Sequence, residues 1–321
     1  MTTAADNRTE AVINTIRRLK GLIPDGHIAE NEPMSRHTSF RIGGPAGALV
    51  TAESENELSD ILRVCASEEG LQYMLIGNGS NFLVGDDGYP GIFIRLGGDF
   101  NAIRLEGEEA EHVLVRAGAA RLLSGISAFL TENGLSGFEF ASGIPGSMGG
   151  AVFMNAGAYG GEIKDVVKSE RLMKKDGSGI IELDSDEMEF GYRHSMVEGS
   201  GLVVLSALMS LQRDEPEQIA ARVRELQDKR NAKQPVNYPS AGSTFKRPAG
   251  GYAAALIDEA GLKGYRVGGA MVSEKLAGFV INSGGATAAD VLSVMRHVRA
   301  AVHDNSGILL EPEVRLIGCE L

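Results

Sequence analysis

Cysteine, long apolar runs and excess positive charge are all scarce in this 321-residue sequence. Its two cysteines, Cys65 and Cys319, lie far apart and have no His or Cys beside them at metal-ligand spacing. This usage argues against a disulfide framework and a metal site, and it is typical of reduced thiols in the cytosol. No apolar run approaches the length that spans a bilayer. The first 20 residues lack the basic-then-apolar order of a secretion signal. We therefore predict a cytoplasmic protein that binds no metal and no membrane.

Positive charge is in deficit, because 31 Lys and Arg residues face 43 Asp and Glu residues and the net charge is −12. General nucleic-acid binding needs a basic footprint, so this balance argues against it. Basic residues nevertheless cluster between positions 222 and 247. A local cluster in an acidic protein fits a small anionic ligand better than a polymer, and no feature indicates an obligate protein partner. We expect a small-molecule substrate.

Helical and extended patterns alternate along the chain. Ser54 followed by Glu57 is a capping box, and apolar residues at helical spacing come after it. The same spacing predicts three further helices, at about 121–133, 252–260 and 287–304. The segment 166–211 is typical of sheet. Because the chain exceeds what one core usually supports, we expect boundaries near 98 and 213. The mixed order predicts the α+β class.

The densest glycine run, GFEFASGIPGSMGGAVFMNAGAYGG, occupies residues 137–161 and has eight glycines among its 25 residues. Such a run makes a poor helix and a poor ordinary strand. Glycine lets the backbone approach another group closely, so the run suits a loop around a ligand rich in acceptors, such as a nucleotide diphosphate. An irregular loop without a ligand explains the glycines equally well.

A second glycine-rich stretch, GNGSN at 77–81, lies between two apolar runs that are typical of strands. Its backbone N–H groups, the Ser80 hydroxyl and the Asn81 amide can converge on phosphate oxygens. It is not the G-x-G-x-x-G dinucleotide fingerprint, because the third glycine and the following helix are missing. Taken alone, the stretch is equally compatible with a plain turn.

Seven segments together resemble the UDP-N-acetylenolpyruvoylglucosamine reductase (MurB) family, and in particular its shorter, second type. The segments cover nearly the whole chain in the family's order: NEPMSRHTSFRIGGPA, IGNGSNFLV, GFEFASGIPGSMGGAVFMNAGAYGGEI, FGYRHS, KQPVNYPSAGSTFKRP, IDEAGLKGYRVGGAMVSEK and LEPEVRLIG.

The resemblance implies an α+β architecture with the vanillyl-alcohol-oxidase or PCMH type of two-subdomain FAD-binding fold, followed by a C-terminal α+β substrate-binding domain. We expect residues 1–97 to form the first FAD-binding subdomain, to which the tail 312–321 returns. Residues 98–213 are expected to form the second subdomain, and residues 214–311 the substrate-binding domain.

The resemblance also implies a reaction. NADPH would reduce FAD, and the flavin would pass the hydride to the enolpyruvyl ether of UDP-N-acetylenolpyruvoylglucosamine, giving UDP-N-acetylmuramate for peptidoglycan synthesis. His37 invites comparison with histidines that attach flavin covalently in related oxidases, but the reductases generally hold FAD without a bond, so we predict non-covalent FAD. The alternative is an FAD-dependent oxidase or dehydrogenase of the same fold that acts on an alcohol or hydroxy acid.

Three residues match the family's catalytic positions. Ser243 would donate the proton, Arg193 would bind the carboxylate of the enolate-like intermediate, and Glu313 would polarise the site. A planar guanidinium suits the bidentate task. The structural alternatives are a turn serine, an exposed sheet arginine, and a strand-end glutamate paired with Arg315.

The resemblance implies further contacts around this trio. The expected cofactor-binding residues are Arg41, Gly77, Asn78, Gly79, Ser80, Asn81, Ser142, Gly143, Gly146, Ser147, Gly149 and Ala151. The expected substrate-binding residues are Tyr192, Arg230, Lys233, Lys246 and Arg247. One departure stands out, since Leu276 occupies a position where the family usually has His or Gln, and Leu cannot form a side-chain hydrogen bond. Lys275 is its candidate substitute.

Overall fold

The computed structural model describes residues 9–321 as a mixed α+β chain, as the alternating sequence patterns predict. None of the helices in that range is long and apolar enough to cross a membrane. The α-helices described are α1 (Glu10–Leu19), α2 (Glu55–Ser67), α3 (Leu123–Glu132), α4 (Met148–Phe153), α5 (Pro216–Lys233), α6 (Ala253–Glu259) and α7 (Ala288–Ser306).

The strands are short, and most are antiparallel to a neighbour. They are β1 (Ile28–Pro33), β2 (Pro45–Ala52), β3 (Tyr73–Ile76), β4 (Phe82–Val84), β5 (Tyr89–Leu96), β6 (Ile103–Glu109), β7 (His112–Gly118), β8 (Leu135–Ser136), β9 (Gly157–Ala158), β10 (Gly161–Glu162), β11 (Val167–Met173), β12 (Ile180–Asp184), β13 (Val203–Arg213), β14 (Arg266–Val267), β15 (Ala270–Val272), β16 (Val280–Asn282) and β17 (Arg315–Ile317).

Three sheets organise the chain. The first has the order β1-β2-β5-β3, with β1 antiparallel to β2 and the other pairs parallel. The second is antiparallel, in the order β12-β11-β13-β7-β6, and β8 adds to β13. The third is the small antiparallel set β14-β15-β16. The first sheet packs under α1 and α2, the second under α3 and α4, and the third under α6 and α7.

The helix ends follow their capping residues. The Ser54 hydroxyl accepts from the N–H of Glu57, and the Glu57 carboxylate accepts from the N–H of Glu53, one residue earlier than a strict capping box requires. Helix α7 has the complete box, because Thr287 and Asp290 each accept from the other's N–H. It ends at Gly307, which has the left-handed φ of +73° that favours glycine there.

The glycine run at 137–161 differs from the prediction, because it contains helix α4 and the strand pair β9–β10. Tertiary contact overrides the poor helix propensity of Gly149 here. A Cβ on Gly149 would lie 3.0 Å from the Cβ of Ala119, and the Gly149 N–H donates to the Ala119 carbonyl over 2.8 Å. Glycine therefore lets α4 sit directly against the end of β7.

The C-terminal segment joins the first sheet region to the third. Strand β17 runs parallel to β4. The hydrophobic core beneath α6 and α7 also includes Phe40 and Leu83, which come from the N-terminal part of the chain. Asp86 caps α7 from outside, since its two carboxylate oxygens accept from the N–H groups of Ala288 and Ala289 over 2.7 and 2.9 Å. The boundary at 311–312 stays a prediction, because these elements share one core.

Candidate functional site

The loop 77–81, between β3 and β4, requires glycine at position 79 and is tightly packed at position 77. A Cβ on Gly77 would lie 2.7 Å from the Ser147 hydroxyl oxygen. Gly79 has a φ of +61°, and its Cβ would lie 2.0 Å from the carbonyl oxygen of His37. The N–H of Ser39 donates to the Gly79 carbonyl over 3.1 Å, which fixes the loop against the 36–42 segment. Over residues 9–321, the N–H groups of residues 78–80 donate no hydrogen bond to the protein.

The segment before α4 faces this loop. Asn78 donates its side-chain amide to the Pro145 carbonyl over 2.7 Å. Ser147 is 4% exposed, yet its hydroxyl has no hydrogen-bond partner among the described residues. The nearest atoms to a Cβ on Gly146 would lie 3.8 Å away, in ordinary van der Waals contact, and the Ser80 hydroxyl oxygen would lie 3.9 Å away. A buried, unpartnered hydroxyl between two glycine-rich backbones fits the pyrophosphate of FAD, because phosphate oxygens are strong acceptors.

Several predicted cofactor residues serve the protein's own packing. Gly149 and Ala151 use their N–H groups on the Ala119 and Ser147 carbonyls, and Ala151 is 2% exposed. These two therefore shape α4 and offer no free donor to a cofactor. Ser142 is also buried, and Arg41 is exposed in its loop with a φ of +55°.

His37 is fully engaged by neighbours. Its Nε2 lies 2.9 Å from a Glu32 carboxylate oxygen, and its Nδ1 lies 3.4 Å from Nη1 of Arg95. Both ring nitrogens therefore have protein partners. A histidine that attaches flavin needs one of these nitrogens for the covalent bond, so this arrangement supports non-covalent FAD.

Arg193 and Glu313 meet although 120 residues separate them. The Nε–H of Arg193 donates to Oε1 of Glu313 over 2.8 Å, and the two side chains are 20% and 9% exposed. No hydrogen bond to the terminal Nη1 and Nη2 groups of Arg193 is formed by residues 9–321. Arg315 is not the partner of Glu313, because it pairs with Glu198 over 3.3 Å. Arg193 therefore keeps its planar fork available beside an anchored carboxylate.

Asn81 holds the main chain of Glu313. Its side-chain amide donates to the Glu313 carbonyl over 3.1 Å, and its own carbonyl accepts from the N–H of Arg315 over 2.9 Å. We predicted Asn81 as a cofactor contact, and the structure places its side-chain amide on the main chain of Glu313. The glycine-rich loop thus supports both halves of the site.

Ser243 is exposed, and its neighbour is tightly fixed. The carbonyl of Thr244 accepts from the N–H of Glu313 over 2.9 Å, and its hydroxyl accepts from the N–H of Val280 over 2.9 Å. The N–H of Thr244 donates to the Gly278 carbonyl. Ser243 therefore projects from a fixed backbone position that is one residue from a direct main-chain contact with Glu313.

Two predicted substrate residues join the trio. The hydroxyl of Tyr192 accepts from the N–H of Arg247 over 3.1 Å, and the Arg193 guanidinium lies 5.0 Å from the centre of the Tyr192 ring. The Arg247 guanidinium lies 4.3 Å from the Tyr252 ring centre. The N–H of Lys246 donates to the Glu311 carbonyl over 2.8 Å. The segments around 192, 246 and 312 thus converge.

The α5 residues lie on the cofactor side. Arg230 packs against Gly143, where a Cβ would lie 2.9 Å from the Arg230 Cδ. Burial lowers the pKa of Arg230, and the nearby Tyr159 acts in the opposite direction. Lys233 is exposed at the end of the helix. The Nζ of Lys275 donates to the Asn231 carbonyl over 2.5 Å, so it anchors the end of α5.

Leu276 lies close to the catalytic segment. It is partly buried and lies two residues before Gly278, whose carbonyl accepts from Thr244. With Lys275 bonded to α5, the nearest candidate replacement for the missing polar group is already engaged.

Sequence reasoning missed Asn155. It is 0% exposed, has a φ of +44° and bonds to Gly191, at the base of the turn that carries Arg193. An asparagine in a glycine-rich run was the available signal.

Comparisons with known proteins identify the family of the chain. A family model described as an FAD binding domain matches residues 46–181, and one described as the C-terminal domain of UDP-N-acetylenolpyruvoylglucosamine reductase matches residues 234–317. The reductase of that name from Lachnoclostridium phytofermentans is 47% identical over 303 residues, which cover 94% of this chain and 97% of that protein. The one from Clostridioides difficile is 45% identical over 300 residues, with coverages of 94% and 96%.

A solved structure extends the likeness to three dimensions. The crystal structure of UDP-N-acetylenolpyruvylglucosamine reductase from Thermus caldophilus matches with a TM-score of 0.76 and 35% sequence identity, covering 89% of this chain and 97% of that one. Identity of this extent over nearly the whole length of each relative settles the relationship. The chain belongs to the UDP-N-acetylenolpyruvoylglucosamine reductase (MurB) family.

Proposed function

We propose that this chain reduces the enolpyruvyl ether of UDP-N-acetylenolpyruvoylglucosamine to UDP-N-acetylmuramate, a peptidoglycan precursor, with NADPH as hydride donor. The observation that carries this is the Arg193–Glu313 pair, which lies beside the Ser243 segment and is tied through Asn81 to the glycine-rich loop. When bound, FAD supplies hydride transfer. Every other requirement falls on the protein's own side chains.

Arg193 binds and stabilises the substrate carboxylate. Reduction at the β-carbon places negative charge on the α-carbon and the carboxylate, so a cation that binds more tightly as this charge develops accelerates the step. Glu313 holds the Nε side of the guanidinium, which leaves Nη1 and Nη2 for the two carboxylate oxygens. Glu313 thus orients the fork and balances its charge in the absence of substrate.

Ser243 donates the proton to the α-carbon. Ser243 is exposed, and its backbone is fixed by the contacts of Thr244 with Gly278 and Glu313. An isolated serine is a weak acid, so the developing negative charge on the α-carbon and the polar neighbours must drive the transfer.

The remaining cations and Tyr192 bind the UDP moiety. Arg230 and Lys233 extend from the last turns of α5, and Lys246 and Arg247 follow Ser243 directly. These four charges suit a diphosphate. Tyr192 bonds the backbone of Arg247 and so links the carboxylate-binding and phosphate-binding groups.

We further infer a cytoplasmic enzyme of three units, residues 1–97, 98–213 and 214–311, with the tail 312–321 returning to the first. It needs no obligate protein partner, nucleic acid or membrane. The parallel pairing of β17 with β4 supports the return of the tail.

The test is substrate-dependent NADPH consumption by FAD-loaded protein. We expect stoichiometric loss of NADPH absorbance and formation of UDP-N-acetylmuramate. Absence of turnover by a fully loaded sample would overturn the proposal. Rapid oxidation of an alcohol or hydroxy acid by oxygen would point to the oxidase alternative. Denatured protein should release its yellow colour, because the flavin is held without a covalent bond.

A further inference from the structure

Asn155 is a buried polar residue whose hydrogen bonds tie two functional regions together. It lies two residues after the end of α4, is 0% exposed, and has a φ of +44°. Its amide nitrogen donates to the Glu162 carboxylate and to the Gly191 carbonyl, each over 3.0 Å. Its amide oxygen accepts from the N–H of Lys164 over 3.0 Å. Both donors and one acceptor site are therefore used.

The Gly191 carbonyl is the base of the turn that carries Arg193. Gly191 and His194 exchange backbone hydrogen bonds of 3.0 and 3.3 Å, so only Tyr192 and Arg193 lie between them. Arg193 has a φ of +54°, a conformation that a non-glycine residue adopts only when its surroundings impose it. A second tether runs from the Ser195 hydroxyl to the Phe153 carbonyl over 2.7 Å. Hydrogen bonds from Asn155 and Ser195 thus hold the turn against the end of α4.

Glu162 is the other group that Asn155 orients. The Nζ of Lys164 lies 2.9 Å from the same Glu162 oxygen that Asn155 contacts. The hydrogen bond from Lys164 is the largest cause that lowers the pKa of Glu162, and Asn155 and the charge of Arg193 act in the same direction against burial. Glu162 is therefore a carboxylate within electrostatic range of Arg193, in addition to the directly bonded Glu313.

We propose that Asn155 is a positioning residue that fixes the Arg193 turn to the segment at the end of helix α4 through its hydrogen bond to Gly191. The role of Arg193 as the carboxylate-binding group rests on the proposed function. The contacts of Asn155 do not depend on it. Asn155 itself need not touch substrate or cofactor, because Gly191 and Glu162 use both of its donors.

The chemistry of the site calls for asparagine. Aspartate tolerates a positive φ but cannot donate to Gly191, and it would place a second negative charge beside Glu162. Glycine accepts the backbone conformation without strain but supplies no side-chain bond. Asn155→Gly therefore removes the hydrogen bonds while it relieves the backbone, which favours a folded variant. Asn155→Asp adds charge at nearly constant shape.

The experiment measures binding of UDP-N-acetylenolpyruvoylglucosamine to oxidised holoenzyme through the change in flavin absorbance. We expect Asn155→Gly to weaken binding roughly ten- to a hundredfold, because two partly buried acceptors lose their donor and the Arg193 turn loses its tether. Asn155→Asp should weaken it at least as much. FAD content and the rate of flavin reduction by NADPH should stay within about threefold of wild type.

A double-mutant cycle with Arg193→Ala separates positioning from general destabilisation. If Asn155 acts through Arg193, Asn155→Gly has little further effect in the Arg193→Ala background. Val152→Ala, which removes two buried methyl groups from α4, is the matched control and should lower the melting temperature without changing substrate affinity. Additive losses in the cycle, or equal behaviour of Asn155→Gly and Val152→Ala, would overturn the inference. Lack of turnover by wild-type holoenzyme would instead count against the proposed function, while the binding cycle still reports on Asn155.

Discussion

The two halves of the site use different chemical groups, backbone atoms in one and side chains in the other. The flavin-side loops, residues 77–81 and 142–147, depend on backbone donors, small residues and glycines that admit close approach. The chemical side depends on side chains from three distant segments, since Arg193 and Glu313 form a direct pair and Ser243 precedes Thr244, whose carbonyl accepts from the Glu313 N–H. A site made of backbone tolerates few changes of shape, whereas a site made of side chains tolerates few changes of functional group.

This difference explains how variants should fail. A glycine substitution on the flavin side adds atoms where the backbone already touches its neighbour, so folding or cofactor binding suffers. A side-chain substitution on the chemical side removes a proton or a charge, so one step of the reaction suffers while the fold persists. The predictions below, from the largest expected effect to the smallest, test this division.

Ser243→Ala should give the largest effect on turnover. Removing a general acid costs roughly 10²–10⁴-fold in rate. Flavin reduction by NADPH should survive, because the proton is needed only in the second half-reaction. Rapid-mixing measurements of each half-reaction check this, with Ser240→Ala as the control for a nearby turn serine. An equal fall in both half-reactions would mean that Ser243 has a structural role. It would contradict the division between a flavin side and a chemical side of the site.

Two glycines on the flavin side should separate folding from cofactor binding. Gly79→Ala places a Cβ 2.0 Å from the His37 carbonyl oxygen at a φ of +61°, so we expect a loss of roughly 2–4 kcal/mol in the free energy of unfolding. Gly146→Ala meets nothing nearer than 3.8 Å, so the apoprotein should keep its stability.

The added methyl of Gly146→Ala would instead occupy space that we assign to the pyrophosphate. FAD affinity should fall roughly tenfold, or about 1.4 kcal/mol. Thermal unfolding of both apoproteins and FAD titrations measure the two quantities. Unchanged FAD affinity in Gly146→Ala would show that Gly146 does not contact the pyrophosphate of FAD.

The smallest effect on the reaction itself concerns a carboxyl group in the sheet that supports α4, because this group changes only the stability of the fold. In contrast to the paired Glu313, Glu170 on β11 is 0% exposed, and neither carboxylate oxygen has a hydrogen-bond partner within the described part of the chain. Burial, with a lesser contribution from the charge of Asp184, raises the pKa of Glu170 from 4.5 to about 8. The group is therefore mostly protonated in the folded protein at neutral pH.

This raised pKa makes stability depend on pH in a defined direction. Below pH 4.5 the Glu170 carboxyl is protonated in both the folded and the unfolded protein, so its titration lowers the free energy of unfolding by nothing there. Between pH 4.5 and about 8, unfolding releases the proton, so the free energy of unfolding falls as pH rises, by at most about 1.4 kcal/mol per unit. Glu170→Gln carries no titrating proton, so its advantage over wild type should grow across this window. Urea unfolding of both holoproteins at several pH values measures the gap, and a constant gap contradicts the prediction.

Local signals predicted much of the fold. The apolar spacing after Ser54, at 252–260 and at 287–304 needed only contacts within a few residues. The helices predicted at 252–260 and 287–304 begin and end within two residues of those positions. The sequence did not predict helix α4, because glycine has a low helix propensity. Close contact with Ala119 favours glycine at position 149, and such a tertiary contact cannot be read from local propensity.

The same distinction between local signals and tertiary contacts applies to the site. Glycine-rich loops indicated a phosphate cradle because glycine is itself the visible mark of close backbone approach. The Arg193–Glu313 bond, the use of Asn81 on Glu313 and the role of Asn155 required the folded arrangement, since no local pattern joins positions this far apart. Only the family resemblance supplied the catalytic trio in advance.

The late return of the chain has a consequence for biosynthesis. Asn81 and Glu313 are 232 residues apart, and β17 must pair with β4 before Glu313 can take its place. Closing so long a loop is entropically slow compared with forming local helices. On the ribosome, the glycine-rich loops emerge long before the segment that completes the reaction centre. An unfinished chain therefore has the glycine-rich loops but no Arg193–Glu313 pair, so the site is complete only after β17 has left the ribosome.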